Sequence, residues 1–119
     1  MRKGWADPYN AAIWPIIHKD DIEHFFGGDI SDFFSLFMIP GGGHCGAATS
    51  YPGVPSTYHT VENLVKWVEE GETPEGVVSN GPPDGSGRSR LLCPWPQTAR
   101  YVEGNIDDWE SYVCEIEID

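Results

Sequence analysis

One segment, Ile30–Ile39 followed by Pro40, limits the possible folds of this chain more than any other. Its final residues, Leu36-Phe37-Met38-Ile39, form a short, continuous apolar run that the proline closes. A run of this kind, rich in aromatic and branched side chains, is typical of a buried strand in a parallel sheet. Sites in open α/β sheets form just beyond the carboxyl ends of strands. We therefore predict that the sequence PGGGHCG at residues 40–46 is an active-site loop.

Two segments that flank this strand are predicted to be helices. The segment from Pro15 to Phe26 has an apolar side, begins with a proline that suits a first turn, and is ended by Gly27-Gly28. Thr60 is a good N-cap for a helix from Val61 to Glu70, whose apolar residues follow i, i+3, i+4, i+7 spacing before Gly71. The strand and its loop thus lie between two helices.

The rest of the chain carries weaker signals. Residues 72–90 are turn-rich and hold at most a short strand at residues 76–79. From Tyr112 onward the side chains alternate in a way that fits an edge strand with one wet face. The predicted order is loop, helix, buried strand, site loop, helix and irregular tail. One strand cannot form a parallel sheet, so either the fold is not α/β or its other strands lie on polypeptide outside these residues.

Composition narrows the classes of partner. Nineteen acidic residues against seven basic ones give a formal charge of −12, which disfavours contact with nucleic acid or an anionic membrane because little could replace phosphate counterions. No apolar segment has the length of a membrane span. The first residues include Asp7, Pro8, Asn10 and Pro15, so we expect no signal peptide in this chain. The 14 glycines and 10 prolines indicate a loop-rich domain.

The chain has three cysteines, an odd number. Cys93 and Cys114 could close a loop of about 20 residues, for which loop-closure estimates give about 3 kcal/mol of stabilisation. That pairing would leave Cys45 as the unpaired cysteine of the three. It is the cysteine that follows His44 in the glycine-rich loop.

His44 and Asp7 are the candidates for chemistry. A glycine-flanked histidine at the carboxyl end of a strand can reach a substrate, although a structural loop histidine has the same appearance. Asp7 precedes Pro8 and is therefore held extended, although an ordinary Asp-Pro turn explains it equally well. Together they match the last two members of the serine-hydrolase order Ser…Asp…His. None of the serines lies in a G-x-S-x-G context, so we name no nucleophile in this chain.

Three stretches resemble the carboxyl-terminal third of the tannase and feruloyl esterase family. They are Trp5-Ala6-Asp7-Pro8, the segment from Leu36 to Cys45, and the segment from Leu92 to Tyr101. The resemblance implies that residues 1–119 form the carboxyl-terminal part of one α/β-hydrolase catalytic domain. The nucleophile, the oxyanion hole and the lid would then lie outside the chain. Gly42 departs from the family pattern, in which a larger residue such as methionine is expected.

The resemblance also implies roles for five residues. His44 would be the general base and Asp7 the acid of a Ser-Asp-His triad. Cys45 would form a disulfide with a cysteine beside the absent serine, which explains the odd cysteine. Cys93 and Cys114 would form a second, structural disulfide.

The implied protein is a secreted serine carboxylesterase that hydrolyses gallate, ferulate or related phenolic esters. Its partners would be the amino-terminal portion of the same enzyme and the ester substrate, with neither nucleic acid nor membrane. We expect no metal or other cofactor in this chain, since the family's structural calcium belongs to the lid. The chain by itself would be inactive and poorly folded.

Two alternatives come from other classes. A zinc site could combine His44 and Cys45 with another histidine (His18, His24 or His59), but the adjacent pair lacks the usual ligand spacing. A secreted, disulfide-bearing module that binds carbohydrate or phenolics without catalysis would use the tryptophans as stacking surfaces. The simpler interpretation of those tryptophans is that they pack in the core.

Overall fold

The fold was examined in a computed structural model, which describes residues 1–44, 54, 56–81 and 85–118. In chain order the elements are β1 (Arg2–Gly4), α1 (Ile13–Phe26), β2 (Phe37–Ile39), β3 (Thr57–Tyr58), α2 (Thr60–Glu70), β4 (Val77–Asn80), β5 (Ser89–Leu92), β6 (Thr98–Tyr101), a 3₁₀ turn (Trp109–Ser111) and β7 (Tyr112–Glu115). Neither described helix combines the length and the apolar character that crossing a membrane requires.

The predicted buried strand is confirmed as β2, and it pairs in parallel with β1. Lys3 lies opposite Met38 and Gly4 opposite Ile39, with α1 as the connection between the two strands. The strand is shorter than the apolar segment. The amides of Phe33 and Phe34 donate to the carbonyl of Ile30, so the chain turns before it becomes extended.

β2 lies between two apolar clusters because its side chains alternate between its two faces. On one face Phe37 and Ile39 pack with Val77 of β4 and Leu92 of β5. On the other face Met38 packs with Leu36 and with Ile16 of α1, and Trp95 covers this cluster. Both faces of β2 are therefore buried, as the sequence predicts for a central strand of an α/β sheet.

Both helices end where the sequence predicts. Gly27 and Gly71 adopt left-handed conformations at the two carboxyl ends, with φ of 78° and 72°. The predicted N-cap of α2 is wrong, because Thr60 is the first helical residue and His59 precedes it without a side-chain capping bond. The reason is that the amide of His59 donates to the carbonyl of Val78, which prolongs the pairing of β3 with β4 up to the start of the helix.

The apolar stripe of α2 does not face a core formed by the described residues. Its four members are exposed to between 47% and 77%, namely Val61, Leu64, Val65 and Val68. Several large apolar side chains of α1 are exposed as well, among them Trp14, Phe25 and Phe26. Both helices therefore keep apolar surface that the described part of the chain does not bury.

The predicted irregular tail is wrong. β3, β4 and β5 form an antiparallel sheet in which Val77 lies opposite Leu92, and β6 pairs with β7 so that Thr98 lies opposite Glu115. β4 to β7 are four residues long and β3 is only two, and β6 meets its partner across a long intervening loop. Short strands without a tight hairpin turn give no sequence signal as clear as that of β2. The edge strand predicted from Tyr112 is confirmed as β7.

Candidate active site

Asp7 and His44 lie side by side at one edge of the parallel pair. β1 ends at Gly4 and β2 at Ile39, and because the strands are parallel their carboxyl ends are neighbours. Asp7 follows β1 and His44 follows β2. The imidazole Nδ1 of His44 lies 2.9 Å from the carboxylate Oδ2 of Asp7. Two residues 37 positions apart are thus joined by a hydrogen bond.

The two loops contact each other through their backbones. The amide of Trp5 donates to the carbonyl of Ile39 and the amide of Ala6 to the carbonyl of Gly42, each at 3.0 Å. A β-carbon on Gly4 would lie 2.2 Å from the carbonyl oxygen of Gly42. Only glycine permits this approach at residue 4, because any side chain would separate the two loops. A β-carbon on Gly42 would lie 2.9 Å from the Ile39 side chain, so the glycine that departs from the family pattern fits a close contact.

Every acceptor position of the Asp7 carboxylate is occupied. Oδ1 accepts hydrogen bonds from the backbone amides of Tyr9 at 2.8 Å and Asn10 at 3.1 Å. Oδ2 accepts from His44 and from the ammonium of Lys3. The side chain is 1% exposed. An ionised carboxylate can accept about four hydrogen bonds, so this one is satisfied although it is buried.

The charge state of Asp7 follows from these contacts. Burial raises the pKa of the carboxyl, but the hydrogen bonds from Lys3, Tyr9, His44 and Asn10 outweigh it and hold the pKa well below the ordinary value of 3.8. Asp7 is therefore ionised at neutral pH. A negative carboxylate is the partner that holds a neighbouring imidazole in one orientation.

The two ring nitrogens of His44 differ in their contacts, because Nδ1 is hydrogen-bonded to Asp7. The His44 side chain is 46% exposed, and its Nε2 has no hydrogen-bond partner among the described residues. Because the ionised Asp7 accepts the hydrogen on Nδ1, the neutral imidazole keeps its lone pair on Nε2. The ring edge of Tyr9 packs against the imidazole with centroids 5.4 Å apart. This arrangement can accept a proton at Nε2 from a group that approaches from solvent.

The other predicted site residues divide into two groups. Cys93 and Cys114 are joined in a disulfide that links the residue after β5 to β7. Cys45 lies outside the residues that the structure describes, so its predicted disulfide with a cysteine beside the nucleophile stays a prediction.

The zinc alternative gains no support from the described residues. No three side chains of histidine, cysteine, aspartate or glutamate come together there in a group that could hold a metal ion. His18 packs against the ring of Phe34, and His59 contacts Asn80, so neither joins His44.

Sequence reasoning missed three contributors to the site, namely Lys3, Tyr9 and Asn10. An aspartate followed by proline often accepts hydrogen bonds from amides two and three residues later, so the backbone contacts of Tyr9 and Asn10 had a recognisable signal. Lys3 had none. Its contact depends on which face of the short strand β1 its side chain occupies.

Comparison with known proteins identifies the family. The family model described as "Tannase and feruloyl esterase" matches residues 1–115. A protein of Arthroderma benhamiae named "Probable feruloyl esterase" is 33% identical over 117 residues, which cover 93% of this chain and 21% of the relative. The mono(2-hydroxyethyl) terephthalate hydrolase of Piscinibacter sakaiensis is 38% identical over 87 residues, which cover 69% of this chain and 14% of that enzyme.

Solved structures share the fold. The tannin acyl hydrolase from Aspergillus niger superimposes with a TM-score of 0.77 at 19% identity, over 98% of this chain and 22% of that one. The matched part of the chain thus makes up between 14% and 22% of the length of these relatives. Because the family model covers nearly all of its residues, the chain belongs to the tannase and feruloyl esterase family.

Proposed function

We propose that this chain supplies the general base and the acid of a Ser-Asp-His hydrolase that cleaves esters of aromatic acids. The observation that carries the proposal is the hydrogen bond of 2.9 Å between His44 and Asp7 at the carboxyl ends of two adjacent parallel strands. Nε2 of the exposed His44 side chain, which has no hydrogen-bond partner among the described residues, provides the basic nitrogen that such a reaction needs. Membership of an esterase family favours this function over a non-catalytic binding module.

In the proposed mechanism His44 moves a proton twice. Nε2 takes the proton of a serine hydroxyl while the serine oxygen bonds to the acyl carbon, and then gives that proton to the departing alcohol oxygen. A water molecule repeats the sequence to release the acid and restore the serine. Asp7 accepts the Nδ1 hydrogen throughout, so that it orients the ring and stabilises the imidazolium that forms between the two transfers.

The serine belongs, in this proposal, to polypeptide outside the chain. Residues 1–119 would be the carboxyl-terminal part of one α/β-hydrolase domain, and the amino-terminal portion of the same enzyme would bring the nucleophile, the oxyanion hole and the lid. Three observations support this. The chain spans about a fifth of its relatives, the described parallel sheet has two strands, and the apolar stripe of α2 is exposed.

Cys45 would hold the two parts of the site together. Because Cys93 and Cys114 are bonded to each other and the chain has three cysteines, Cys45 has no cysteine partner within it. A disulfide from Cys45 to a cysteine beside the serine would fix the distance between base and nucleophile, where an error of about 1 Å can cost 10²-fold in rate. Non-reducing peptide mapping of the full-length protein should find Cys45 joined to a peptide from outside these residues. Its recovery as a free thiol would contradict the clamp.

The substrate class rests on what the relatives have in common. The names of the two curated relatives refer to feruloyl and terephthalate esters, and the solved structure is a tannin acyl hydrolase. Ferulate and terephthalate are aromatic acids, so an ester with an aromatic acyl group is the substrate that we propose. Export is part of the proposal as well, because the disulfide between Cys93 and Cys114 suits an oxidising compartment.

The test is hydrolysis of methyl ferulate by the full-length protein that contains this chain. We expect His44→Gln, which keeps a polar side chain but loses the basic nitrogen, to lower kcat/KM by about 10³-fold or more. His24→Gln is the matched control, since His24 is an exposed histidine at the far end of α1. Equal rates for wild type and His44→Gln would reject the proposed function, and a loss in His24→Gln would show that the effect is not specific to the site.

A further inference from the structure

Lys3 brings a positive charge to the carboxylate that also binds His44, the residue on which the proposed reaction creates a second positive charge. Its ammonium binds Oδ2 of Asp7, the same oxygen that accepts the hydrogen bond from Nδ1 of His44. The Lys3 side chain is 11% exposed, so water screens this charge only weakly. Lys3 and the imidazole therefore share one carboxylate oxygen.

The position of Lys3 is set by the strand. Consecutive side chains of a strand point to opposite faces. Arg2 lies on one face of β1, with its guanidinium 4.8 Å from the centre of the Tyr58 ring. Lys3 lies on the other face, where it reaches Asp7.

Lys3 supplies the fourth hydrogen bond of the carboxylate, and it differs from the other three donors in its charge. Two backbone amides satisfy Oδ1, and the imidazole already binds Oδ2. What Lys3 adds is a full positive charge. Among the described residues, the charged or titratable groups in contact with the imidazole are Asp7 and Tyr9, and Lys3 acts on it through Asp7.

We propose that Lys3 is a positioning residue of the Asp7–His44 pair whose charge lowers the pH at which the esterase becomes active. The ammonium holds Oδ2 in place and offsets part of the carboxylate's charge, so that the positive imidazolium is less stabilised. A like charge close to an ionisable group disfavours its charged form. This inference rests on the proposed function.

The experiment is the pH profile of kcat/KM for methyl ferulate, measured with the full-length protein. Two neutral variants separate charge from hydrogen bonding: Lys3→Met keeps the length of the side chain, and Lys3→Gln keeps a donor. We expect the acidic limb of both to move to higher pH by roughly half a unit to one unit. Lys3→Arg keeps the charge and should keep the acidic limb of the wild type.

The chain offers a matched control in Lys19. It also pairs with a carboxylate four residues later, Glu23, and its side chain is 10% exposed, but it lies on α1. Lys19→Met should leave the profile unchanged. If Lys3→Met and Lys3→Gln lower the rate while the acidic limb stays in place, Lys3 is only structural and the proposal is overturned.

The outcomes for His44→Gln distinguish this proposal from the function on which it rests. An inactive His44→Gln together with an unshifted Lys3→Gln profile overturns the role of Lys3 and leaves the esterase function standing. An active His44→Gln overturns both. If Lys3→Met does not fold, Lys3→Gln and Lys3→Arg still decide the question, because they differ in charge while both retain a hydrogen-bond donor.

Discussion

The parallel pair β1–β2 and the hairpin β6–β7 are held together by different means. In the parallel pair β2 is buried on both faces, the loops meet through backbone atoms at Gly4 and Gly42, and the Asp7 carboxylate is enclosed. In the hairpin every residue of β6 is exposed, and a disulfide anchors β7 to the residue that follows β5. The site therefore depends on close packing that one added atom would disturb. The hairpin depends instead on a covalent link between β7 and the residue after β5.

The largest expected effect is on activity and comes from the parallel pair. Asp7→Asn keeps the size of the side chain but replaces the carboxylate by a neutral amide, which neither selects the imidazole tautomer nor stabilises the imidazolium. We expect kcat/KM of the full-length protein for methyl ferulate to fall by about 10²- to 10⁴-fold.

Asp29→Asn is the control for this variant. Asp29 also accepts a hydrogen bond from a backbone amide two residues later, that of Ser31, but it lies away from the site. Its replacement should leave the rate unchanged. Nearly wild-type activity in Asp7→Asn would show that Asp7 is not the acid of the proposed triad.

The next effect is on stability and comes from the tail. Cys93→Ala combined with Cys114→Ala removes the disulfide between two residues that are 21 positions apart. Loop-closure estimates put the resulting loss in free energy of unfolding at about 3 kcal/mol. Urea unfolding of the full-length protein measures it. The folded double variant should keep most of its rate of methyl ferulate hydrolysis, since none of the described contacts of His44 involves this disulfide. A loss of activity as large as that of Asp7→Asn would abolish the distinction between the two regions.

Gly4→Ala tests the packing of the parallel pair with a single methyl group. The new β-carbon would lie 2.2 Å from a backbone oxygen, so the loops must separate, which we expect to cost about 1–3 kcal/mol in free energy of unfolding and to lower activity too. Gly28→Ala is the control, because a β-carbon there has no atom within 4 Å. An active, equally stable Gly4→Ala protein would show that the contact between the loops is dispensable.

The smallest effect is expected at the surface of the hairpin. Arg100 forms an ion pair with Glu115, and their side chains are 55% and 39% exposed. Exposed pairs contribute little because water screens them and two long side chains lose freedom. Arg100→Gln should therefore change the free energy of unfolding by less than about 0.5 kcal/mol. Destabilisation above about 1 kcal/mol, measured by urea unfolding, would mean that the hairpin relies on this pair.

The elements that the sequence predicted well are those with strong local signals. β2 was predictable because an apolar run between polar residues and proline has few alternatives, and the helix ends were predictable because Gly27 and Gly71 adopt the left-handed conformation that glycine favours. The start of α2 was not predictable from the sequence, because it depends on a hydrogen bond between His59 and Val78. β5 and β6 were missed because they are short and no tight hairpin turn joins them to β4 and β7.

The site shows the same division. Asp7 and His44 could be paired from the sequence because they match the last two members of the order Ser…Asp…His, although strand β1 ahead of Asp7 was not predicted. Lys3 could not be assigned, since nothing in the order of residues says that its ammonium and the imidazole reach the same oxygen.

By itself, the sequence determined the family, the buried strand, the two helix ends and the two residues that face each other across the site. These follow from residue types and short spacings, which depend on neighbours along the chain. Tertiary structure alone decided the register of β1 against β2, the contact of Gly4 with Gly42 and the place of Lys3. Those features are contacts between different strands and loops. The distances between their atoms are set by how the strands pack rather than by any local preference.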